Sequence, residues 1–330
     1  MKRLTPWRAI LMVYALGLVS NGPLFAQVSQ DQLFQSFRWR NIGPANMMGR
    51  ISALDALDTD WRVVLVGSAS GGVFLSHNAG QTWTPIFDDY GSGSIGDVAF
   101  FQGDPQVIWV GTGEANNRNS SGWGDGVYKS TDGGKTFDRM GLDDTFQIAR
   151  IATHPSDPDI VYVAAMGSLW GYSGSRGLYR TRDGGKTWAK LTNGLPDDGK
   201  TGCTEIRMHP TEPDVLFAAM YHRLRKPWTF HSGGPNSGIF KSTDGGESWR
   251  RLTQGLPEGE LGRIGIDIYH SNPRTVVASV EASDTLPDDM SVPGPGVYRS
   301  DDGGETCEML PAPSHQPPDV SRSHRHQSAG

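Results

Sequence analysis

The chain has 330 residues, a formal net charge of −6 at pH 7 and a pI near 5.8. This length can bury a large core in one or two domains, and the acidic balance excludes the basic field that favours nucleic acid. The 43 glycines and 21 prolines are many for a helical enzyme and are typical of short strands joined by turns.

The first 26 residues have the pattern of a secretory signal peptide. Lys2, Arg3 and Arg8 form a charged start, residues 9–19 are apolar, and cleavage is predicted after Ala26. The apolar run is short for a membrane span, and the alternative is an N-terminal anchor or a buried helix. No other segment of the sequence is long and apolar enough to cross a bilayer. We therefore predict a secreted or periplasmic protein with no transmembrane segment in the mature chain.

An eight-residue motif, the octet, recurs five times at intervals of about 50 to 60 residues, which indicates a repeat architecture. Its Asp or Asn can accept backbone hydrogen bonds, and its glycines can take positive φ where the chain reverses. Its aromatic residue can close a small core beneath the turn. Each copy therefore predicts a tight hairpin with a structural Asp or Asn. The octets are residues 76–83, 130–137, 181–188, 242–249 and 300–307, and the structural residues are Asn78, Asp132, Asp183, Asp244 and Asp302.

A second recurring element precedes each octet. It consists of a strand-like run, a turn that usually contains Asp-Pro or a related pair, and a β-branched run, as in residues 95–110 and 148–163. Each period therefore holds four predicted strands, and no stretch shows sustained helical periodicity. Five periods of four strands predict an all-β fold, a β-propeller of four-stranded blades. We expect the propeller to span residues 34–311.

The octet is similar to the Asp-box, also called the bacterial neuraminidase repeat (BNR). The layout resembles secreted propellers of the sortilin-N-terminal-like or glycosyl-hydrolase-like type, and residues 37–44 and 111–137 are typical of that group. The resemblance covers residues 51–310 and implies the propeller fold. It does not imply one reaction, because Asp-boxes occur in hydrolases, receptors and assembly factors alike.

The strand pattern ends near Leu310, and residues 312–330 are rich in Pro, Ser and His. We predict a disordered or aberrant tail here, rather than a metal site at His324 and His326. Similar proteins are usually longer, so we interpret the five blades as part of a larger, truncated propeller. The alternative is a closed five-bladed ring, which would leave no strand edge or blade face uncovered.

The strand order predicts that the octets lie on one face and that the connections between second and third strands lie on the opposite face. Those connections differ widely in length, as expected where function accumulates. They combine aromatic, amide and arginine side chains, which suit sugars or peptides. The alternative is that the tryptophans only anchor long loops. The candidate binding residues are Asn117, Arg118, Trp123, Trp170, Tyr172, His222, Arg223, Arg225 and Trp228.

Catalysis by a glycosidase needs two carboxylates at a defined separation, and position selects Glu114, Asp125 and Glu281 as candidates. The arginine triad of sialidases cannot be assigned. The main hypothesis is therefore an exported scaffold that binds an extracellular peptide, protein or glycan, and the alternative is a carbohydrate-active hydrolase on the same face. We expect no cofactor and no metal, because Cys and His pairs are missing and most octets offer a single carboxylate.

The first strands of neighbouring blades carry charges of alternating sign. Asp97, Arg150 and Glu205 stand at equivalent positions, and Arg207 and Asp267 stand two residues further on in their blades. This pattern predicts ion pairs between blades near the propeller axis, each contributing modestly to stability. The alternative is a catalytic channel.

Overall fold

The computed structural model describes residues 49–282 and 294–311. Five antiparallel sheets follow one another along the chain, and in each the strands pair in sequence order. The first three blades contain β1 (Ile51–Ala56), β2 (Val64–Ser68), β3 (Val73–Ser76) and β4 (Thr84–Pro85); β5 (Ile95–Phe101), β6 (Asp104–Thr112), β7 (Val127–Ser130) and β8 (Asp138–Arg139); and β9 (Ile148–Thr153), β10 (Val161–Ala165), β11 (Gly177–Thr181) and β12 (Ala189–Leu191).

Blades four and five complete the described fold. They contain β13 (Thr201–Met208), β14 (Leu216–Lys226), β15 (Thr229–Ser232), β16 (Gly238–Ser242) and β17 (Arg250–Leu252), then β18 (Leu261–Ile268), β19 (Val276–Ala282), β20 (Gly296–Ser300) and β21 (Glu308–Met309). A short 3-10 turn at Asp143–Thr145 lies between blades two and three. The prediction of an all-β propeller with four-stranded blades is confirmed.

Blade four differs from the sequence prediction in one respect. The connection after its second strand is not an irregular loop, because β14 continues to Lys226 and turns back as β15. Arg223 pairs with Ser232 and Lys226 with Thr229, so the added strands form a regular hairpin. The hairpin places His222, Arg223 and Arg225 on β14 and Trp228 at its turn.

The last four octets form the same hydrogen-bonded turn, and the first forms a variant of it in which Asn78 Nδ2 donates to Thr82 Oγ1 at 2.9 Å. In the second copy, Asp132 Oδ1 accepts from Ser130 Oγ at 2.8 Å and from the Thr136 amide at 2.9 Å, and Oδ2 accepts from Thr136 Oγ1 at 2.7 Å. These donors lower the pKa of Asp132 to about 2. Gly133 and Gly134 adopt φ of 73° and 85°, a region that glycine enters without steric cost.

The octets share a face with the turns between first and second strands. The Gly133 amide donates to Gln106 O at 3.0 Å, and the Gly184 amide donates to Asp159 O at 3.0 Å in the next blade. Because the strands are antiparallel, the connections between second and third strands lie at the opposite end of every blade. We call the two ends the octet face and the loop face.

The aromatic residues of the second, third and fourth octets contact the preceding blade. The ring centres of Phe137 and Phe87 are 5.1 Å apart, Trp188 Nε1 donates to Met140 O at 2.7 Å, and the Trp249 amide donates to Asn193 O at 3.0 Å. Trp249 Nε1 also donates to Gly246 O of its own turn at 3.1 Å, and the fifth octet has Cys307 at this position. Trp249 is only 6% exposed. The first octet has no earlier blade against it in the described part of the chain, and its Trp83 is 41% exposed.

A basic residue at the end of the third strand contacts the octet of the following blade. Lys129 Nζ donates to Gly184 O at 3.3 Å, Arg180 Nη1 to Gly245 O at 2.6 Å, and Lys241 Nζ to Gly303 O at 2.7 Å. In blade five the equivalent Arg299 pairs instead with Asp301 of its own octet at 2.9 Å. These contacts repeat in the same direction along the chain.

Four hydrophobic clusters fill the interfaces between successive blades. Among the residues that the structure describes, no such cluster joins blade five to blade one. Leu54 and Trp61 on blade one and Val297 on blade five are exposed. The interpretation of the chain as part of a larger propeller stays a prediction.

Helices of the length and apolarity that a membrane crossing requires do not occur within residues 49–282 and 294–311. The predicted signal peptide, residues 34–48, the acidic part of the blade-five connection and the tail after Pro311 lie outside the described residues.

Candidate functional site

The blade-two connection, residues 113–125, links several blades on the loop face. Asn117 Nδ2 donates to Tyr221 OH on blade four at 2.9 Å, and Arg263 Nη1 on blade five donates to Asn116 Oδ1 at 3.0 Å. Ala115 is buried against Met166 and Tyr221. The connection is therefore anchored to blades three, four and five as well as to its own blade.

Two arginines are buried beneath this connection. Arg223 is fully buried, and its Nη2 donates to Gln147 Oε1 at 2.6 Å while its Nη1 donates to Asn117 Oδ1 at 3.2 Å. Arg176 is also buried and donates to the carbonyls of Arg223 at 2.6 Å and Gly171 at 2.7 Å. Burial lowers the pKa of both guanidinium groups to about 10, so both remain charged at neutral pH. Within the described residues, neither arginine forms a salt bridge with a carboxylate.

Three exposed aromatic rings lie on the blade-three connection and the blade-four hairpin, which also carry these arginines. Tyr172 is 46% exposed, Trp228 is 79% exposed and Phe230 is 37% exposed. Each ring has a cation over it: Lys200 Nζ lies 5.7 Å from the Tyr172 ring centre, Lys226 Nζ lies 5.7 Å from that of Trp228, and Arg225 Cζ lies 4.8 Å from that of Phe230. We call these six residues the basic-aromatic strip.

The blade-three connection is bonded to the blade-four hairpin, on which Arg225 and Phe230 lie on one face and Lys226 on the other, so the strip runs around the hairpin. The Gly171 amide donates to Arg225 O at 3.1 Å, and Tyr172 OH lies 3.3 Å from His222 Nε2. Arg225 Nη2 also contacts Asn119 Oδ1 of the blade-two connection. Loops from three blades therefore meet at this point of the loop face.

The structure brings most of the predicted binding residues into this region. Asn117, Tyr172, His222, Arg223, Arg225 and Trp228 belong to the strip or to its hydrogen-bonded support. Trp123 instead packs edge-on against Phe146, with ring centres 5.5 Å apart. Trp170 is half-buried, and Arg118 is exposed. Sequence reasoning missed Arg176, Lys200, Lys226 and Phe230. Lys226 and Phe230 lie in the same basic and aromatic stretch as the predicted Arg223, Arg225 and Trp228, so the composition of that stretch was an available signal.

The three candidate catalytic carboxylates all accept hydrogen bonds from their surroundings. Glu114 is buried and accepts from Arg50 Nε at 2.7 Å and from Asn116 Nδ2 at 3.0 Å. Burial by itself would raise its pKa, but these donors outweigh burial and the pKa lies below its usual value. A general acid needs the opposite shift.

Asp125 and Glu281 also support the loops. Asp125 accepts from Tyr128 OH at 2.7 Å. Burial is the main reason that the pKa of Tyr128 is raised to about 12, and this hydrogen bond raises it further. Glu281 accepts from Ser232 Oγ and from the Arg263 amide, both at 2.8 Å. Glu281 is exposed, whereas Asp125 is half-buried.

The predicted ion pairs between blades are confirmed near the axis. Arg150 lies 3.4 Å from Asp97 Oδ1 and 3.0 Å from Glu205 Oε1, and Arg207 lies 3.7 Å from Asp267 Oδ1. All of these residues except Glu205 line a cavity of about 240 Å³. Burial raises the pKa of Asp97 to about 6, although Arg150 opposes the shift. Asp97 Oδ2 also accepts the Ile151 amide at 2.6 Å, so it joins blade two to blade three.

Within residues 49–282 and 294–311, no group of three or more His, Cys, Asp or Glu side chains is arranged so that it could hold a metal ion.

Comparison with known proteins agrees with the repeated turns and blades. The family model described as "Sortilin, neurotensin receptor 3" matches residues 125–284, which include the second, third and fourth octets. The chain is an Asp-box β-propeller. This propeller shares its fold with an ancestral GH74 enzyme of known structure, with a TM-score of 0.56 and 19% identity over 79% of this chain and 31% of that one.

The Asp-box propeller is also similar in sequence to enzymes that act on a polysaccharide. It is 24% identical to xyloglucanase Xgh74A of Acetivibrio thermocellus over 253 residues, which is 70% of this chain and 28% of that protein. It is 22% identical to a xyloglucanase of Paenibacillus sp over 254 residues, again 70% of this chain and 24% of that protein. The propeller thus spans about a quarter of the length of these relatives.

Proposed function

We propose that this Asp-box propeller is an exported, carbohydrate-active protein that holds a polysaccharide on its loop face. The observation that carries the proposal is the basic-aromatic strip, which has one exposed ring on the blade-three connection and two on the blade-four hairpin. Aromatic rings stack on the apolar faces of sugar rings, and nearby polar groups orient the hydroxyls. Trp249, whose ring lies in the core between blades three and four, is buried by contrast.

Sequence similarity to two xyloglucanases supports a polysaccharide rather than a peptide as the ligand. It also supports hydrolysis as a second candidate function of the same face. Glu281 is the candidate carboxylate that solvent and a ligand can reach, whereas Glu114 is fully buried in its pair with Arg50. If hydrolysis occurs here, we expect Glu281→Gln to abolish the release of reducing ends and Glu114→Gln to act mainly through stability.

Binding can be tested by affinity electrophoresis of the full chain in gels that contain xyloglucan or other plant polysaccharides. We expect Trp228→Ala and Tyr172→Ala each to weaken binding about tenfold, because each removes one stacking surface of about 1.4 kcal/mol. Trp83→Ala is the matched control, since Trp83 is an exposed tryptophan on the octet face. Unchanged binding by both loop-face variants, or an equal loss in Trp83→Ala, would contradict the proposal.

Export is part of the proposal and rests on the predicted signal peptide, with similarity to polysaccharide-degrading enzymes as further support. Mass spectrometry of the protein recovered outside the cytoplasm should give a mature chain that begins at Gln27. A chain that retains residues 1–26 in the cytoplasm would contradict this part.

A further inference from the structure

The described part of the loop face is rich in basic side chains. The whole chain has a net charge of −6, yet a set of basic residues on this face forms no salt bridge with any carboxylate among the described residues. Beside the octets, by contrast, Arg180, Lys241 and Arg250 pair with Glu247 or Glu305. The unpaired residues on the loop face are Arg118, Arg176, Lys200, Arg223, Arg225, Lys226 and Arg263.

Carboxylates that the structure describes near the strip are already engaged. Asp198 accepts from the amides of Lys200 at 2.8 Å and Thr201 at 2.7 Å and from Asn236 Nδ2 at 2.9 Å. Glu281 accepts from Ser232 and the Arg263 amide, and Glu114 pairs with Arg50. These carboxylates stay negatively charged, but among the described residues none of them forms a salt bridge with Lys200, Arg225 or Lys226, so these three cations have room to pair with a ligand.

Buried donors without an acceptor are concentrated in the same region. In the described residues, five buried side-chain nitrogens make no hydrogen bond, and four of them are Nε of Arg176, Arg223 and Arg225 and Nδ1 of His222. An unmade hydrogen bond of a buried group costs about 1–3 kcal/mol, so such groups are rare unless a partner binds there. Arg176 and Arg223 are at least nine-tenths buried.

The strip pairs each exposed ring with a cation. Because the cation lies over one face of its ring, a sugar would stack on the other face, and the ammonium or guanidinium group would then reach past the ring to a substituent at the edge of that sugar. Lysine and arginine form their strongest hydrogen bonds with carboxylates and phosphates, and arginine can bind a carboxylate through two parallel N–H groups. No carboxylate in the described part of the chain forms a salt bridge with these cations, so an acidic sugar would supply a partner that a neutral sugar lacks.

Combining these observations, we infer that the polysaccharide held on the loop face is acidic, with uronic acid carboxylates that pair with Lys200, Arg225 and Lys226. This inference rests on the proposed function and narrows its ligand class. Arg176 and Arg223 lie beneath the strip and act as fixed positive charges that the ligand does not need to displace. Their hydrogen bonds to the carbonyls of Gly171 and Arg223 and to Gln147 hold the platform in place.

The inference can be tested with one pair of probes. Isothermal titration of the full chain would compare an oligosaccharide of galacturonic acid with the same oligosaccharide after its carboxyl groups have been reduced to alcohols. We expect the acidic form to bind at least tenfold more tightly at low ionic strength, and the difference to shrink as salt is raised to about 0.5 M. Lys200→Gln combined with Lys226→Gln should reduce the preference to less than threefold, and both side chains are exposed, so the fold should persist.

Two further variants separate charge from stacking. Trp228→Ala should weaken both probes by the same factor, and Lys135→Gln, an exposed lysine on the octet face, should change neither. Equal affinity for the two probes would overturn the inference and leave the proposed function intact. Failure to bind either probe or any neutral polysaccharide would contradict the proposed function itself. Binding of polyglutamate as tightly as the acidic oligosaccharide would show that charge alone is recognised, and would also overturn the inference.

Discussion

The octet face and the loop face are built from the same strands but follow opposite rules. On the octet face one turn is repeated five times. The last four copies share an aspartate acceptor and two glycines at positive φ, and the first copy has Asn78 and Ala79 at these positions; contacts to the next octet run from blades two, three and four. On the loop face the connections of blades two, three and four differ in length and structure, yet they meet around Tyr172 and Arg225.

The difference shows where repetition carries information about function. A contact that every blade needs is repeated, because each interface between blades must be stable by itself. A contact that a ligand needs occurs once, because it forms where several different loops converge. The exposed rings and unpaired cations of the loop face belong to the second kind, and the octets belong to the first.

The largest expected effect tests whether octet aromatics stabilise interfaces. Trp249→Ala should reduce the free energy of unfolding by about 3–5 kcal/mol, because it empties a buried site between blades three and four. Trp83→Ala changes the equivalent residue, but Trp83 is 41% exposed and its loss should cost far less. Denaturant unfolding measures both. Equal losses would mean that the aromatic acts within its own turn.

The next effect concerns the ion pairs at the axis. Because the pKa of Asp97 is raised to about 6 in the fold, its stabilising contribution is greatest below pH 4 and is lost as pH rises to about 6. Asp97→Asn removes this titration, so between pH 4 and 6.5 the wild type should lose about 2–3 kcal/mol relative to the variant. Unfolding free energies measured across this range check the prediction, and parallel curves for the two proteins would contradict it.

A smaller effect is expected at the basic residues that end the third strands. Lys241→Met should cost about 1.5–3 kcal/mol, because a charged and largely buried donor loses Gly303 O and Glu305. Arg299→Met is the matched control: Arg299 holds the equivalent position but pairs only with Asp301 on the exposed surface, so its loss should lie within about 0.5 kcal/mol. Thermal unfolding would distinguish the two, and similar shifts would show that the contact between blades contributes little.

The fold could be predicted because its determinants repeat in sequence. The octets, the turns between first and second strands and the alternating charges of Asp97, Arg150 and Glu205 each lie at equivalent positions, and strand order then assigns them to faces. The basic residue immediately before each of the last four octets was an equally visible signal, and its contact with the next blade could have been inferred from Lys129, Arg180 and Lys241.

The site was less predictable because it depends on distances between different blades. The blade-four connection was recognised as rich in binding residues, but its hairpin required the pairing of residues 223–226 with 229–232. Burial of Arg176 and Arg223 follows from the path of the blade-two connection above them, which local propensity does not encode. For the same reason the sequence did not reveal that Glu114 is neutralised by Arg50, 64 residues away.

The contact between the basic residue that ends a third strand and the octet of the next blade always runs in the same direction along the chain. This makes the inner blades equivalent building units. Blades three and four each receive a cation at their octet glycine and each present one to their successor. Duplication of such a unit would create a new joint with the same chemistry as the existing ones. Propellers of this type can therefore gain or lose a blade in evolution, or by engineering, without the invention of a new interface.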